Sequence, residues 1–199
     1  MHETQTIKAL FFDFDGVLTI EKRGTPTMLS YIAKETGLPY EKIDAAYMKY
    51  SKALLLGDIT HREMWKPFCA ELGRDLPFAL LEKSFLNMTL DQKILQYIRE
   101  KKGQYRIGMI TDNKADRIAA IVEQTELKGL FDYIIISADV HSRKSEKKIF
   151  EDALRQAGLE ARNCVFIDNT AANLVQPAEM GFVTVYFDAD CRDYSKLIF

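Results

Sequence analysis

Cysteine is scarce in this chain of 199 residues: Cys69, Cys164 and Cys191 stand far apart, and no C-x-x-C pair occurs. An odd, scattered set gives no disulfide framework and no thiolate zinc site, and it fits a reducing cytoplasm. Cys164, beside an apolar run, reads as a small buried hydrophobe. Histidine is equally sparse. His2, His61 and His141 have no partner at ligand spacing, and His61 is expected as an exposed residue at a helix start. An excess of charge of one sign is missing too. Lysine and arginine number 27 against 29 acidic residues, a formal net charge of -2, so the field of the whole molecule gives nucleic acid no attraction. No apolar run approaches the roughly 20 residues that span a bilayer. Residues 1–5 are polar where an export signal is basic, then apolar. Repeats, low-complexity runs and linkers are absent. The expectation is a cytoplasmic protein without membrane or nucleic-acid partners, a monomer or a weak homodimer.

What is present is an ordinary globular composition, 47% apolar and 28% charged. The length suits one domain with a modest insertion. Residues 7–19 read I-K-A-L-F-F-D-F-D-G-V-L-T. The apolar run 9–12 suits a strand buried on both faces, and it stops abruptly at Asp13, with Asp15 and Gly16 just beyond. A turn capped by Asp is the ordinary reading of that ending.

A long helical stretch follows. Thr25-Pro26 opens a helix, with Thr as N-cap and Pro at the first helical position, and Gly37 stops it. A second helix follows Pro39 and carries Ile43, Ala46, Tyr47, Tyr50 and Leu54 to Gly57. T-H-R-E at 60–63 is a capping box, and the helix it opens carries Met64, Trp65, Phe68, Cys69 and Leu72, with a kink expected at Pro67. A shorter helix lies near 77–85. No strand interrupts 25–85, so this block reads as an all-helical insertion. Its aromatic stripe of Tyr47, Tyr50, Trp65 and Phe68 reads as the insertion's own core rather than a pocket wall. From Thr89 the pattern alternates: helix 90–102, strand 106–110, helix 114–124, strand 133–136, helix 146–157, strand 164–167, helix 171–180 and strand 183–187. Such alternation predicts an α/β fold with a Rossmann-like, doubly wound parallel sheet. The tail 188–199 carries no readable pattern.

The strands expected near the middle of that sheet end in polar residues. Asp13 and Asp15 follow the first, Thr111, Asp112 and Asn113 the second, and Asp168 and Asn169 the fourth, while Ser137, Asp139, Arg143 and Lys144 follow the third. In a doubly wound sheet these ends converge on one crevice. Singly, each has an ordinary reading: Thr111 as a helix-start hydroxyl, Asp168 as a turn residue, Lys144 as a solvated charge. Together they bring three carboxylates, a hydroxyl and an amine to one edge, the set that holds a divalent cation and a phosphoryl group. Oxygen donors from Asp13 and Asp168, a backbone carbonyl and waters suit octahedral Mg²⁺. Lys144 offsets negative charge, and Thr111 donates to a phosphoryl oxygen. Asp13 is the candidate nucleophile and Asp15, the partner that keeps a proton, the candidate acid and base. Asp112 and Asn113 join Thr111 and Lys144 as candidate substrate-binding residues. Asp15 and Asn169 join Asp13 and Asp168 as candidate metal ligands.

At these residues the chain resembles the haloacid dehalogenase superfamily over nearly its full length. D-x-D-G-x-[TV] is met in the run from Asp13 to Thr19, the Ser or Thr after an apolar strand by Thr111, and the Lys ahead of the fourth strand by Lys144, followed by Ser145 where Pro is usual. The acidic fourth motif is met by Asp168. Asn169 stands where a second Asp is common and Asn173 where a further acid can occur, a departure that bears on metal affinity. The segment from Gly57 to Trp65 resembles the cap of a subgroup that includes sugar-phosphate phosphatases and the phosphatase domain of soluble epoxide hydrolases. The resemblance implies a core of residues 1–19 and 89–199 with a helical cap at 20–88. It implies a Mg²⁺-dependent phosphatase of small phosphorylated metabolites, sugar phosphates foremost, acting through an aspartyl-phosphate. A phosphomutase of the β-phosphoglucomutase kind uses the same core residues. A dehalogenase is disfavoured by Asp15, and a non-catalytic binding protein is favoured only by Asn169 and Asn173.

Overall fold

The structure, a computed structural model, describes residues 6–199; the polar stretch 1–5, with His2, lies outside them. Strand β1 (Ala9–Phe12) is buried along its whole length, as an unbroken apolar run requires. It pairs in parallel with β2 (Arg106–Thr111) on one side and β4 (Cys164–Asp168) on the other. With β3 (Tyr133–Ile136) and β5 (Val183–Tyr186) they form a five-stranded parallel sheet of order β3-β2-β1-β4-β5. The chain steps outward through β2 and β3, then crosses back to β4 on the far side of β1. The crevice at that reversal opens at the carboxyl end of β1. Phe12 lies opposite Ile167, so Asp13 and Asp168 come level there, one residue later on each strand.

Alternate residues of β1 supply two cores. Leu10 and Phe12 pack with Ile94, Ile98, Ile118 and Ile121, whereas Ala9 and Phe11 pack with Ile149, Phe150 and Ala153. This is the period of two that a pleated strand imposes. Four helices follow β1 and form the insertion: α1 (Gly24–Thr36), α2 (Tyr40–Leu56), α3 (His61–Leu72) and α4 (Phe78–Phe85). After them come α5 (Gln92–Lys101), α6 (Ala115–Gln124), the single turn α7 (Ser137–Val140), α8 (Lys147–Ala157) and α9 (Val175–Met180). The two crossings into and out of the helical insertion are laced together. Ile20 N donates to Thr89 O (2.8 Å), Asp91 N to Leu18 O (2.9 Å), and Thr89 N to the Glu21 carboxylate (2.8 Å). Among the described residues no helix is long and apolar enough to cross a membrane.

Several local expectations need correction. Thr25 does not cap α1. The residue before the helix is Arg23, and the Thr25 hydroxyl instead accepts from Lys114 Nζ (2.8 Å). Helix α3 runs through Pro67 as one element; its capping box is present, with Glu63 N donating to Thr60 Oγ1 (3.3 Å) and Thr60 N to Glu63 Oε2 (2.7 Å). The last helix is split, a 3₁₀ turn at Ala171–Leu174 preceding α9. Turn α7 carried no sequence signal. The tail is docked: Leu197 is buried, and Arg192 reaches back to the loop after β1.

Candidate active site

Lys144 arrives at the end of β1 from the loop between α7 and α8. Its Nζ donates to Asp168 Oδ2 (2.6 Å) and pairs with Asp13 Oδ1 (2.8 Å). All three groups are buried. Burial presses the ammonium toward losing its proton, but Asp13 and Asp168 outweigh that and hold its pKa above the usual lysine value. Burial, opposed by Lys144 and reinforced by Asp168, lifts the Asp13 carboxyl above the usual range. Asp112 fastens the lysine's loop: its carboxylate accepts from Lys144 N (2.8 Å) and Arg143 Nε (3.1 Å). Its side chain thus serves the loop, although the residue still borders the cavity.

The loop after Asp13 depends on Gly16, which holds φ at +85°. A Cβ there would collide with the Asn169 amide, so conformation and close approach both call for glycine. Asp15 turns toward α6. Arg117 Nη1 and Nη2 donate to its two oxygens (3.0 Å each), and Asn113 Nδ2 adds a third bond (2.9 Å). Gly24, at the start of α1, lies directly on the Arg117 guanidinium, where a Cβ would not fit. Two expectations change here. The Asp15 carboxylate is engaged by Arg117 and Asn113 and is not presented as a metal ligand. Asn113 is 1% exposed, lies outside the cavity lining, and supports Asp15 and Arg117 instead of facing a substrate.

Asp168 is fully buried and accepts from Thr170 N (2.7 Å) and Asn173 Nδ2 (3.1 Å) as well as Lys144. Asn173 therefore orients the acid. Among the described residues no cluster of three or more His, Cys, Asp or Glu side chains is spaced to hold a metal. Magnesium needs less: one or two carboxylates, with phosphate oxygens and waters completing its octahedron. Asp13, whose Oδ2 has no partner among the described residues, and the Asn169 amide are oxygen donors of that kind on the cavity wall; Asp168 lies behind them and could join only by giving up a bond to Lys144, Thr170 or Asn173.

Asp13 and Asn169 border a cavity of about 570 Å³, with Asp168 buried behind them. The core side supplies Asp13, Asp15, Thr111 and Lys144. The insertion supplies residues 22–26 and one face of α2, Asp44, Met48, Ser51 and Leu55. None of Tyr47, Tyr50, Trp65 and Phe68 lines it, and α3 contributes nothing to its wall. The aromatics pack inside the insertion, with Trp65 Nε1 donating to Leu76 O (2.8 Å) and Tyr50 OH to Glu71 (2.9 Å).

His61 is not exposed but fully buried. Its Nδ1 lies 2.7 Å from Asp116 Oδ1, its backbone N donates to Asp116 Oδ2 (3.1 Å), and its Nε2 meets Tyr47 OH (2.9 Å). Burial lowers its pKa despite Asp116. This chain docks α3 and α2 on α6. Arg117, Asp116 and Lys114 went unread in the sequence. Their one signal is charge on the same turns of α6 as buried Ile118 and Ile121.

An acid-bearing loop at the switch point of a doubly wound parallel sheet, with a buried lysine between two strand-end acids, is the arrangement of a hydrolase of the haloacid dehalogenase type. The haloacid dehalogenase-like hydrolase family matches residues 7–178, and the chain belongs to that family. Among known proteins it is similar to bifunctional epoxide hydrolase 2 of Sus scrofa, 25% identical over 217 residues, covering 96% of this chain but 39% of that one. The chain thus spans about two fifths of that relative's length. It is 25% identical to sesquiterpene phosphatase astK of Aspergillus oryzae, with 97% of each chain covered. Its fold matches that of a haloacid dehalogenase family enzyme of Bacteroides thetaiotaomicron in complex with magnesium and inorganic phosphate, at a TM-score of 0.77 and 18% identity, covering 97% of this chain and all of that one.

Proposed function

We propose that this hydrolase is a Mg²⁺-dependent phosphatase of small phosphomonoesters such as sugar phosphates. The observation that carries the reading is the free oxygen of Asp13, held beside Lys144 at the mouth of the cavity. A phosphatase relative aligned along nearly the whole of both chains supports it, as does the phosphate and magnesium complex of the structural neighbour.

Asp13 Oδ2 attacks phosphorus, the ester oxygen leaves, and the protein holds an aspartyl-phosphate. The leaving oxygen takes its proton from Asp15, which later accepts one from the water that attacks the same phosphorus, releasing phosphate and Asp13. Both Asp15 oxygens are bound by Arg117, so the acid step follows release of that side chain. Thr111 and Lys144 bind phosphoryl oxygens and offset their charge. Asp13 and the Asn169 amide oxygen, with Asp168 once one of its present bonds yields, would hold Mg²⁺, which would supply further charge neutralisation. The helices of residues 20–88 act as a cap over a core of 1–19 and 89–199, excluding water and large substrates. The three unpaired thiols suit a cytoplasmic enzyme, working as a monomer or weak homodimer.

The test is phosphate release from p-nitrophenyl phosphate with and without Mg²⁺. Asp13→Asn should lower kcat by roughly 10³-fold or more. Near-normal turnover by that variant, with deamidation excluded by mass spectrometry, overturns the assignment.

A further inference from the structure

The cations of this cavity are mostly spoken for. Lys144 lies between Asp13 and Asp168, Arg143 binds Asp112, Lys22 pairs with Asp190, and Arg23 is exposed and solvated. Lys114 differs. It is 7% exposed, borders the cavity, and its Nζ makes one hydrogen bond, to the neutral Thr25 hydroxyl (2.8 Å). No carboxylate pairs with it among the described residues. Arg117, one turn along α6, has both Asp15 oxygens and leaves Lys114 none. Asp15, Asp112 and Asp116 act on it only through space, and a buried ammonium with no bonded anion is costly to hold. The start of α6 adds its own positive potential at the same place. The phosphoryl end of the site is already served by Lys144.

The geometry points to a second anion subsite at Lys114: the ligand of this cavity carries, besides its phosphomonoester, a carboxylate or a second phosphate. This deepens the phosphatase reading and rests on it. The anion would complete the pairing that the protein withholds, across the wall formed by Lys114 and Thr25. It would also join α6 of the core to the first turn of α1 through one ligand group.

The test uses equilibrium binding of non-hydrolysable phosphonates to the full chain with Mg²⁺ present. Phosphonocarboxylates of two to four carbons are compared with alkylphosphonates of matched length, and α,ω-diphosphonates form a third arm. In the wild-type protein at least one phosphonocarboxylate or diphosphonate should bind about tenfold tighter or more than its alkyl match, the worth of one charge-assisted hydrogen bond. The tighter arm identifies the anion. Lys114→Met should bring the ratio to about one, since an apolar chain of similar volume replaces the buried cation without opening a cavity. Lys114→Arg should keep most of the preference. Equal affinity across all lengths in the wild type, or an unchanged ratio in Lys114→Met, overturns the subsite. If no phosphate ester is hydrolysed, the phosphatase reading fails; the binding ratio needs no turnover and still decides the subsite.

Discussion

Two buried lysines show how far one side chain's chemistry is set by its neighbours. Lys144 sits between two acids and is held charged. Lys114 has a hydroxyl and the face of the Tyr47 ring but no bonded anion, and burial, with Arg117 adding to it, pushes its pKa down from 10.5 to about 8. Below pH 8 the folded and unfolded chains both hold that proton. Between pH 8 and 10.5 the unfolded chain binds more protons, so stability rises with pH. Across that window the wild-type protein should gain about 3 kcal/mol relative to Lys114→Met, read from urea midpoints at a series of pH values. Parallel pH dependences in the two proteins would show that Lys114 is neither desolvated nor unpaired. Lys144→Ala, by contrast, should cost about 3–5 kcal/mol by leaving two buried acids together, whereas the exposed Lys147 and Lys148 on α8 should tolerate the same change.

At the scale of elements, the question is what seats four helices on a sheet. Apolar burial supplies part of it: the packing around Tyr47, Trp65 and Phe68 belongs to one core that runs on through Met28 and Leu29 to Leu10, Phe12 and Ile118. Polar contacts fix the position. His61 at the start of α3 presents a backbone donor and a ring nitrogen to Asp116 in the first turn of α6. On the neighbouring side, the Ser137 hydroxyl is shared between Leu55 O (2.8 Å) and Asn113 O (3.0 Å). Asp116→Ala leaves two donors of a buried residue without an acceptor and should destabilise the protein by about 1–3 kcal/mol. Asp116→Asn, which keeps an acceptor, should lose less. Thermal melting of the two variants decides it; equal, negligible losses would mean that the docking does not rest on this contact.

On the scale of the whole molecule, the tail proves to be a strap. Arg192 donates to Val17 O (2.9 Å), Gly16 O and Thr19 O (3.3 Å each), and its guanidinium also pairs with Asp91, which Tyr194 OH binds as well (2.7 Å). One side chain near the C-terminus thus ties the loop after β1 to the start of α5, at the two crossings of the insertion. Arg192→Ala should cost about 3–5 kcal/mol, the loss typical of breaking a buried pair. Amide exchange in the loop 14–19 should quicken with it. Unchanged exchange there would make the strap incidental.

Much of this was legible in the chain. The alternation of helix and strand, the buried β1 and the helical insertion follow from periodicities of two and 3.6, which act over a few residues. That Asp13, Thr111, Lys144 and Asp168 lie near one another was legible because parallel strands end at one edge, so their order along the chain already implies proximity. Partnership was not legible. Arg117 and Asp15 are 102 positions apart, His61 and Asp116 55, and Arg192 and Val17 175. Nothing in local spacing selects among the 27 basic side chains for such pairings. Packing selects them, by deciding which charges lose their water and must find an opposite charge or a donor. That is why His61, read as an exposed cap, became the buried pin of the insertion, and why Asn113 came to support Asp15. The sequence by itself determined the class of fold and the acids at its carboxyl edge. The tertiary structure alone decided which of its charged groups are paired and which, like Lys114, are left facing the cavity.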